Sequence, residues 1–268
     1  MWLRYIMSDI IEGRNPVLEA LKSGRPVSKI LLARNIKRHG TISEILHFCR
    51  AGGIPVEYVE RHTIDRQSLT GVNQGIIAYA AAKEYVDLDD LFIISKERTE
   101  PPLYVVLDGI EDPQNLGAIL RTAEATGVHG VIVRSRRAVG LTSAVAKASA
   151  GAVEYVPVAM VANIAQAMET LKKNNVWVIG IHPSGELDYT KFDFKLPTAI
   201  VIGSEGKGLS ALVRKRCDSL AFIPMKGKIS SLNASVAAAV VMYEAFKQRS
   251  KVAPLVKDCV SPQPFLPS

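Results

Sequence analysis

From Leu103 onward the chain repeats one unit: a short, wholly apolar run, a turn rich in Gly, Asn or Asp, then a helical stretch. Residues 103–107 end at Asp108-Gly109 and lead to a predicted helix over 116–125 that stops at Gly127. Residues 131–133 lead to a small-residue helix over 142–150 closed by Gly151. Further strands are predicted at 176–180, 199–203 and 220–223, and the last helix at 234–246. A strand with no polar alternation must be covered on both faces, which predicts an α/β fold with a mostly parallel sheet between two helix layers. Ligands of such sheets bind beyond the carboxyl ends of the strands, so the loops that follow them are the first place to look for chemistry.

The earlier part reads as a separate, smaller α/β unit. Asn15-Pro16 precedes Val17, Leu18, Ala20 and Leu21, a helix with proline in its first turn. A strand at 29–33, a helix at 41–51 with Ile42, Ile45, Leu46 and Cys49 on one face, a strand at 56–59, a helix from near Thr63 and a strand at 75–80 complete it. Residues 83–100 are acidic and end at Pro101-Pro102, and read as a linker with at most one short amphipathic turn. The expected organisation of the 268 residues is therefore 1–82, the smaller basic domain, 83–100, a linker, 101–250, the larger domain, and 251–268, a proline-rich tail or loose arm. The net charge of +7 is basic on both sides of the acidic linker, the distribution expected if both domains touch one extended polyanion.

With 48% hydrophobic and 22% charged residues, the chain is neither disordered, collagen-like nor a long coiled coil. Its cysteines, Cys49, Cys217 and Cys259, include no CxxC and read as reduced thiols. The opening residues lack an apolar stretch long enough for a signal peptide, and the most apolar runs are far short of a membrane span. A cytoplasmic protein with no membrane partner is expected. His39, His47, His62, His129 and His182 show no ligand spacing, so no metal is expected and packing or surface roles suit them. No G-x-G-x-x-G follows residues 103–107, and the Walker order is absent from the loop at Gly203, which removes an ordinary dinucleotide site and a nucleotide triphosphatase.

Three loops carry what remains: Asp112-Pro113-Gln114-Asn115-Leu116-Gly117 leading to Arg121; Gly203-Ser204-Glu205-Gly206-Lys207-Gly208-Leu209-Ser210; and Ile223-Pro224-Met225 running on to Ser231-Leu232-Asn233-Ala234-Ser235. Asn115 either caps a helix or serves a ligand. Arg121, among Ile119, Leu120 and Ala123, reads as a partly enclosed guanidinium seeking phosphate or a carboxylate. Glu205, between glycines, faces a pocket or pairs with Arg121 or Lys207. Ser231, Asn233 and Ser235 either cap the last helix or present polar groups to a ligand. Arg134, Arg136, Arg137, Lys207, Lys226 and Lys228 form a basic run suited to the phosphates of a polyanion or to a solvated face.

In their order and spacing these three loops resemble the signature motifs of the SpoU/TrmH family of RNA ribose 2′-O-methyltransferases, over 103 to about 248. The third has Ala234 where relatives often carry Val. Residues 10–80, opening Ile-Glu-Gly-Arg-Asn-Pro-Val, resemble the ribosomal-protein-L30e-like RNA-binding extension of the bacterial 23S rRNA guanosine-2′-O-methyltransferase branch. The resemblance implies a SPOUT domain with a deep C-terminal trefoil knot, a homodimer, and S-adenosylmethionine as cofactor. It implies a cofactor site at Ile202, Gly203, Glu205, Gly206, Gly208, Ile223, Met225, Ser231, Leu232 and Asn233, with Arg121, Asn115, Glu205, Ser231 and Asn233 as catalytic residues. A tRNA 2′-O-methyltransferase, a resistance-type rRNA methyltransferase and a non-catalytic RNA-binding or ribosome-assembly module stand as alternatives.

Overall fold

The structure is a computed structural model that describes residues 8–37, 40–135, 140–229 and 231–250. Arg136, Arg137, His39 and the tail from residue 251 lie outside the described residues.

The first unit consists of β1 (Ser8–Glu12), α1 (Arg14–Lys22), β2 (Val27–Ala33), α2 (Thr41–Ala51), β3 (Val56–Val59), α3 (Arg61–Gln67) and β4 (Ile76–Ala81). Its sheet order is β1-β4-β2-β3, with only the β2–β3 pair parallel. Ile30 and Leu32 face α1 and α2, while Leu31 and Ala33 meet Ile64 of α3, so the period of two along β2 builds a core on each face. Strand β1 was not anticipated.

The segment 83–100, expected as a linker, carries a ten-residue helix, α4 (Leu88–Glu97). Its acidic character has a local cause. Asp87 and Asp90 form a capping box at the helix start, where negative charge also suits the helix dipole. Leu91 is fully buried against Gly130, and Val86 bridges to Ala159, so this segment packs on the larger unit.

The larger unit continues with β5 (Leu103–Asp108), α5 (Pro113–Ala125), β6 (Gly130–Arg134), α6 (Ser143–Ala148), β7 (Val158–Val161), α7 (Ile164–Lys173), β8 (Trp177–Ile181), β9 (Leu187–Asp188), β10 (Thr198–Gly203), α8 (Ala211–Arg216), β11 (Ser219–Phe222) and α9 (Ala234–Arg249). The sheet order is β7-β6-β5-β10-β8-β11-β9, and every pairing is parallel. Leu103, Val105 and Leu107 of β5 pack with α5, α6 and α9; Tyr104 and Val106 pack with α4, α7 and α8. The two-sided cover inferred from the apolar strands is thus present. The chain leaves β5 toward β6 on one side and returns to pair β10 on the other, and the crevice at that reversal is where an open parallel sheet accepts ligands.

On the first face α5 and α6 approach so closely that a Cβ at Gly117 would overlap the Ala148 side chain and lie 2.8 Å from the Ser149 nitrogen. Among the described residues no helix is long and apolar enough to cross a membrane.

Candidate active site

All three loops reach the carboxyl end of the sheet. Asp112 caps α5, accepting from the N–H groups of Gln114 and Asn115 at 3.2 Å, with Pro113 as the first helical residue. Asn115 is therefore not the cap. It lies in the first turn, buried, with its amide free to face the neighbouring strand loop.

The second loop is a tight hairpin. Ser204 and Gly208 exchange backbone hydrogen bonds of 3.1 and 2.9 Å, and the Ser210 N–H donates to the buried Asp108 carboxylate at 2.7 Å. A Cβ on Gly203 would overlap the backbone of Gly208, so only glycine lets the hairpin close. Glu205, Gly206 and Lys207 then project from it, exposed.

The third loop ends at Asn233, whose Oδ1 accepts from the N–H groups of Ser235 (2.9 Å) and Val236 (3.2 Å) and so caps α9. Its Nδ2 donates to Asn115 Oδ1 at 2.9 Å and to Glu205 Oε1, while Asn115 Nδ2 donates to the same Glu205 oxygen at 3.1 Å. One carboxylate oxygen thus joins two amides from the other two loops. The capping and site readings of Asn233 hold together, because one end of its amide does each job. Glu205 pairs with neither Arg121 nor Lys207, in contrast to one sequence expectation.

Arg121 also departs from expectation. It is exposed on α5, two turns beyond Asn115, and among the described residues its guanidinium has no partner. The apolar neighbours that suggested enclosure, Ile119, Leu120 and Ala123, point inward to the core and leave the arginine outside.

Between the second and third loops lies a cleft of about 660 Å³. Of the expected cofactor-site residues, Ile202, Gly203, Glu205, Gly206, Gly208, Ile223, Met225, Ser231 and Leu232 line it; Asn233 does not, and holds its rim through Glu205. Ile181, His182, Pro183, Phe222, Pro224 and Ala237 also line it and were missed. His182 Nδ1 accepts the Ser184 N–H at 3.1 Å and lies 2.7 Å from the Ser184 hydroxyl. Its position just past β8 could have flagged it, by the same strand-end rule that selected the other loops. The backbone N–H groups of Met225 and Leu232 have no acceptor among the described residues. An apolar-walled cleft of this size, with a few open backbone donors, fits a nucleoside-bearing cofactor. Arg134, Lys207, Lys226 and Lys228 are exposed at this same end of the sheet.

Among the described residues no cysteine lines the cleft. Cys49 and Cys217 are free, and burial pushes both thiols up, Cys217 to about 12. Among the described residues no group of His, Cys, Asp or Glu is arranged to hold a metal.

An all-parallel sheet with a glycine-walled cleft at its strand ends, joined to a basic α/β unit, defines a two-part α/β protein that takes its ligand at the carboxyl ends of the strands. The profile of the SpoU rRNA Methylase family matches residues 102–243, and that for RNA 2′-O ribose methyltransferase substrate binding matches residues 10–86. The chain is 46% identical over 244 residues to YacO of Bacillus subtilis, provisionally named a TrmH family tRNA/rRNA methyltransferase, covering 91% of this chain and 97% of that one. Among solved structures it is similar to the SpoU methyltransferase AviRb from Streptomyces viridochromogenes in complex with AdoMet (TM-score 0.76, 28% identity, 90% of each chain). It is also similar to the AdoMet-bound rRNA methyltransferase from Sinorhizobium meliloti (TM-score 0.70, 26% identity, 91% of this chain and 88% of that one). The chain belongs to the SpoU family and is an S-adenosylmethionine-dependent RNA 2′-O-ribose methyltransferase.

Proposed function

We propose that the acceptor is the ribose 2′-hydroxyl of one guanosine in 23S rRNA, methylated in the cytoplasm by a homodimer whose methyltransferase domain carries a deep trefoil knot. The observation that carries the reading is the Asn115–Glu205–Asn233 hydrogen-bonded triangle at the cleft mouth, with Arg121 two turns further along α5 and without a partner among the described residues. The rRNA assignment is supported by the similarity to an rRNA methyltransferase over 91% of the chain, the basic first unit included. The dimer is supported by the outer face of α9, where Val236 and Tyr243 are about half exposed on a helix that packs against α5. For the knot, α9 begins bonded to the loops after β5 and β10, and its Arg249 ends beneath residues 101–102 and 194–196.

When bound, S-adenosylmethionine supplies a methyl group made electrophilic by its sulfonium. The chain must then orient a weakly acidic hydroxyl toward that methyl and ease its proton loss. Ile202, Gly203, Gly206, Gly208, Ile223, Met225, Ser231 and Leu232 hold the cofactor, with the open N–H groups of Met225 and Leu232 as donors. Arg121 binds the phosphate next to the acceptor ribose, and its fixed positive charge favours the alkoxide. A guanidinium stays protonated, so this is a positioning and electrostatic role. Asn115, Glu205 and Asn233 fix the second loop against α5 and α9, and Arg134, Lys207, Lys226 and Lys228 track the RNA backbone.

The test is transfer of a labelled methyl from S-adenosylmethionine to unmodified 23S rRNA, 16S rRNA and tRNA, each supplied separately, with mapping of alkali-resistant linkages. A single labelled guanosine in 23S rRNA is expected. Label in tRNA alone would overturn the substrate assignment and keep the chemistry. Binding of cofactor without transfer to any of these RNAs would point to a substrate formed during ribosome assembly, and no binding at all to a non-catalytic module.

A further inference from the structure

The two units are joined by more than the chain that links them. Arg25, in the turn between α1 and β2, has a side chain only 7% exposed. It donates Nε to the Ala81 carbonyl (2.8 Å), one terminal nitrogen to Asp9 (3.0 Å) and the other to Glu154 (2.7 Å) in the short helical turn after α6. The Glu154 carboxylate is 1% exposed, and Lys83 approaches it at 3.6 Å while donating to the Glu154 carbonyl at 3.0 Å.

A second attachment starts at Glu12, a buried carboxylate at the end of β1. It accepts from the hydroxyls of Ser68 (2.7 Å) and Thr70 (2.6 Å) and from the N–H groups of Leu69 and Thr70. That Thr70 hydroxyl accepts from Lys147 of α6 at 3.1 Å. A third is the Tyr155 hydroxyl, which donates to Glu19 of α1 at 2.6 Å beside Gly151, where a Cβ would come within 2.7 Å of the Glu19 side chain.

Three separate segments of the first unit therefore grip one stretch, 147–155, of the second. That stretch begins in the last turn of α6, which is packed on α5 at Gly117, and α5 carries Asn115 and Arg121. Buried ion pairs contribute little net stability against apolar replacements, but an unpaired member is costly, so they favour the one arrangement that pairs all of them.

We propose that Arg25 and Glu154 are positioning residues that hold the RNA-binding unit at one distance and orientation from Arg121, so that the acceptor ribose is chosen by a fixed span. This rests on the reading of the chain as an RNA methyltransferase that grips its substrate through residues 10–86. The fitting substrate is a folded RNA whose recognition element and acceptor nucleotide are held rigidly apart, rather than a short single strand.

The experiment uses the full chain carrying Glu154→Gln, with Arg216→Gln, which breaks the exposed Arg216–Glu169 pair inside the methyltransferase unit, as control. X-ray scattering reads the arrangement of the units without RNA. Calorimetry reads S-adenosylmethionine affinity, and kinetics with product mapping read the RNA. For Glu154→Gln the expected result is a broadened scattering profile, cofactor affinity kept, KM for the folded RNA raised by about tenfold with kcat largely retained, and methyl groups spread to neighbouring riboses. The control is expected to match the parent in every readout. An unchanged scattering profile, or one product at an unchanged KM, would overturn the proposal. If Glu154→Gln fails to fold, the rim variant Lys147→Met with Tyr155→Phe is expected to give the same pattern at smaller amplitude, and an unchanged profile there overturns it as well. A parent protein that methylates no RNA would defeat the functional reading, while the scattering would still decide whether the junction holds the units together.

Discussion

The two ends of the large sheet use the same kinds of polar group in opposite ways. At the amino end Arg249 of α9 donates to the carbonyls of Pro101, Pro102, Phe194 and Leu196, and His129 accepts the Leu103 N–H. Lys172 pairs with Asp218, which also accepts the Val178 N–H. Arg121, two turns along α5 from the carboxyl-end loop, and the N–H groups of Met225 and Leu232 at that end have no partner among the described residues. One arginine is consumed by the fold and the other is left for something outside it. The contrast teaches that, within one sheet, the two arginines differ in their partners rather than in their charge, since both ends are charged.

The sharpest way to break this comparison is to remove each arginine. Arg121→Ala is expected to cut methyl transfer by about 100-fold or more, while cofactor affinity by calorimetry and the melting temperature stay near the parent values. Equal rates for variant and parent would remove Arg121 from the chemistry. Arg249→Ala is expected to do the reverse, costing about 3 kcal/mol of stability in urea unfolding through lost charge-assisted hydrogen bonds to four carbonyls.

A pH experiment sharpens the amino end. Burial, helped by Arg98 and Arg249, holds the His129 imidazole down at about 4. The unfolded chain therefore takes up this proton first, and stability falls as pH drops from about 6.5 toward 4. Between pH 7 and pH 5 the loss is expected to be about 2 kcal/mol, and His129→Asn, which keeps an acceptor near the Leu103 N–H, is expected to lose most of that dependence in parallel urea titrations. The smallest effect belongs to the carboxyl end. Asn233→Ala should cost about 1 kcal/mol by uncapping α9, whereas Asn233→Asp should keep the cap and place a second carboxylate against Glu205. Thermal melts of both variants and the parent at pH 7 separate capping from the triangle; an Asn233→Asp melting temperature equal to the parent's would mean that the triangle carries no weight.

Much of this was legible in the residues because the strands are apolar without interruption and the turns after them are rich in glycine. The elements that escaped notice have local reasons. Strand β1 mixes Asp9 and Glu12 into a short edge segment, and both carboxylates are paired by partners distant in sequence, Arg25 and the 68–70 turn. The acidic run at Asp87–Asp90 suggested a linker, yet the same acids start a helix. In the site, the residue types were legible but their pairing was not. Which group Glu205 would meet depends on the β5–β10 adjacency, a fact of topology that no local spacing contains. The exposure of Arg121 likewise follows from which side of α5 faces the core.

Helix α9 has a consequence of a mechanical kind. Its 16 residues, about 24 Å at 1.5 Å each, run from the Asn233 cap at the cleft to the Arg249 clamp beneath the opposite edge. It is a strut tied at both ends. Tension applied through the chain beyond residue 250 would load the four carbonyls around Arg249 first, and the tie at Asn233 would feel it only after those had yielded. A pull on that end of the helix therefore meets the Arg249 clamp before it meets the cleft.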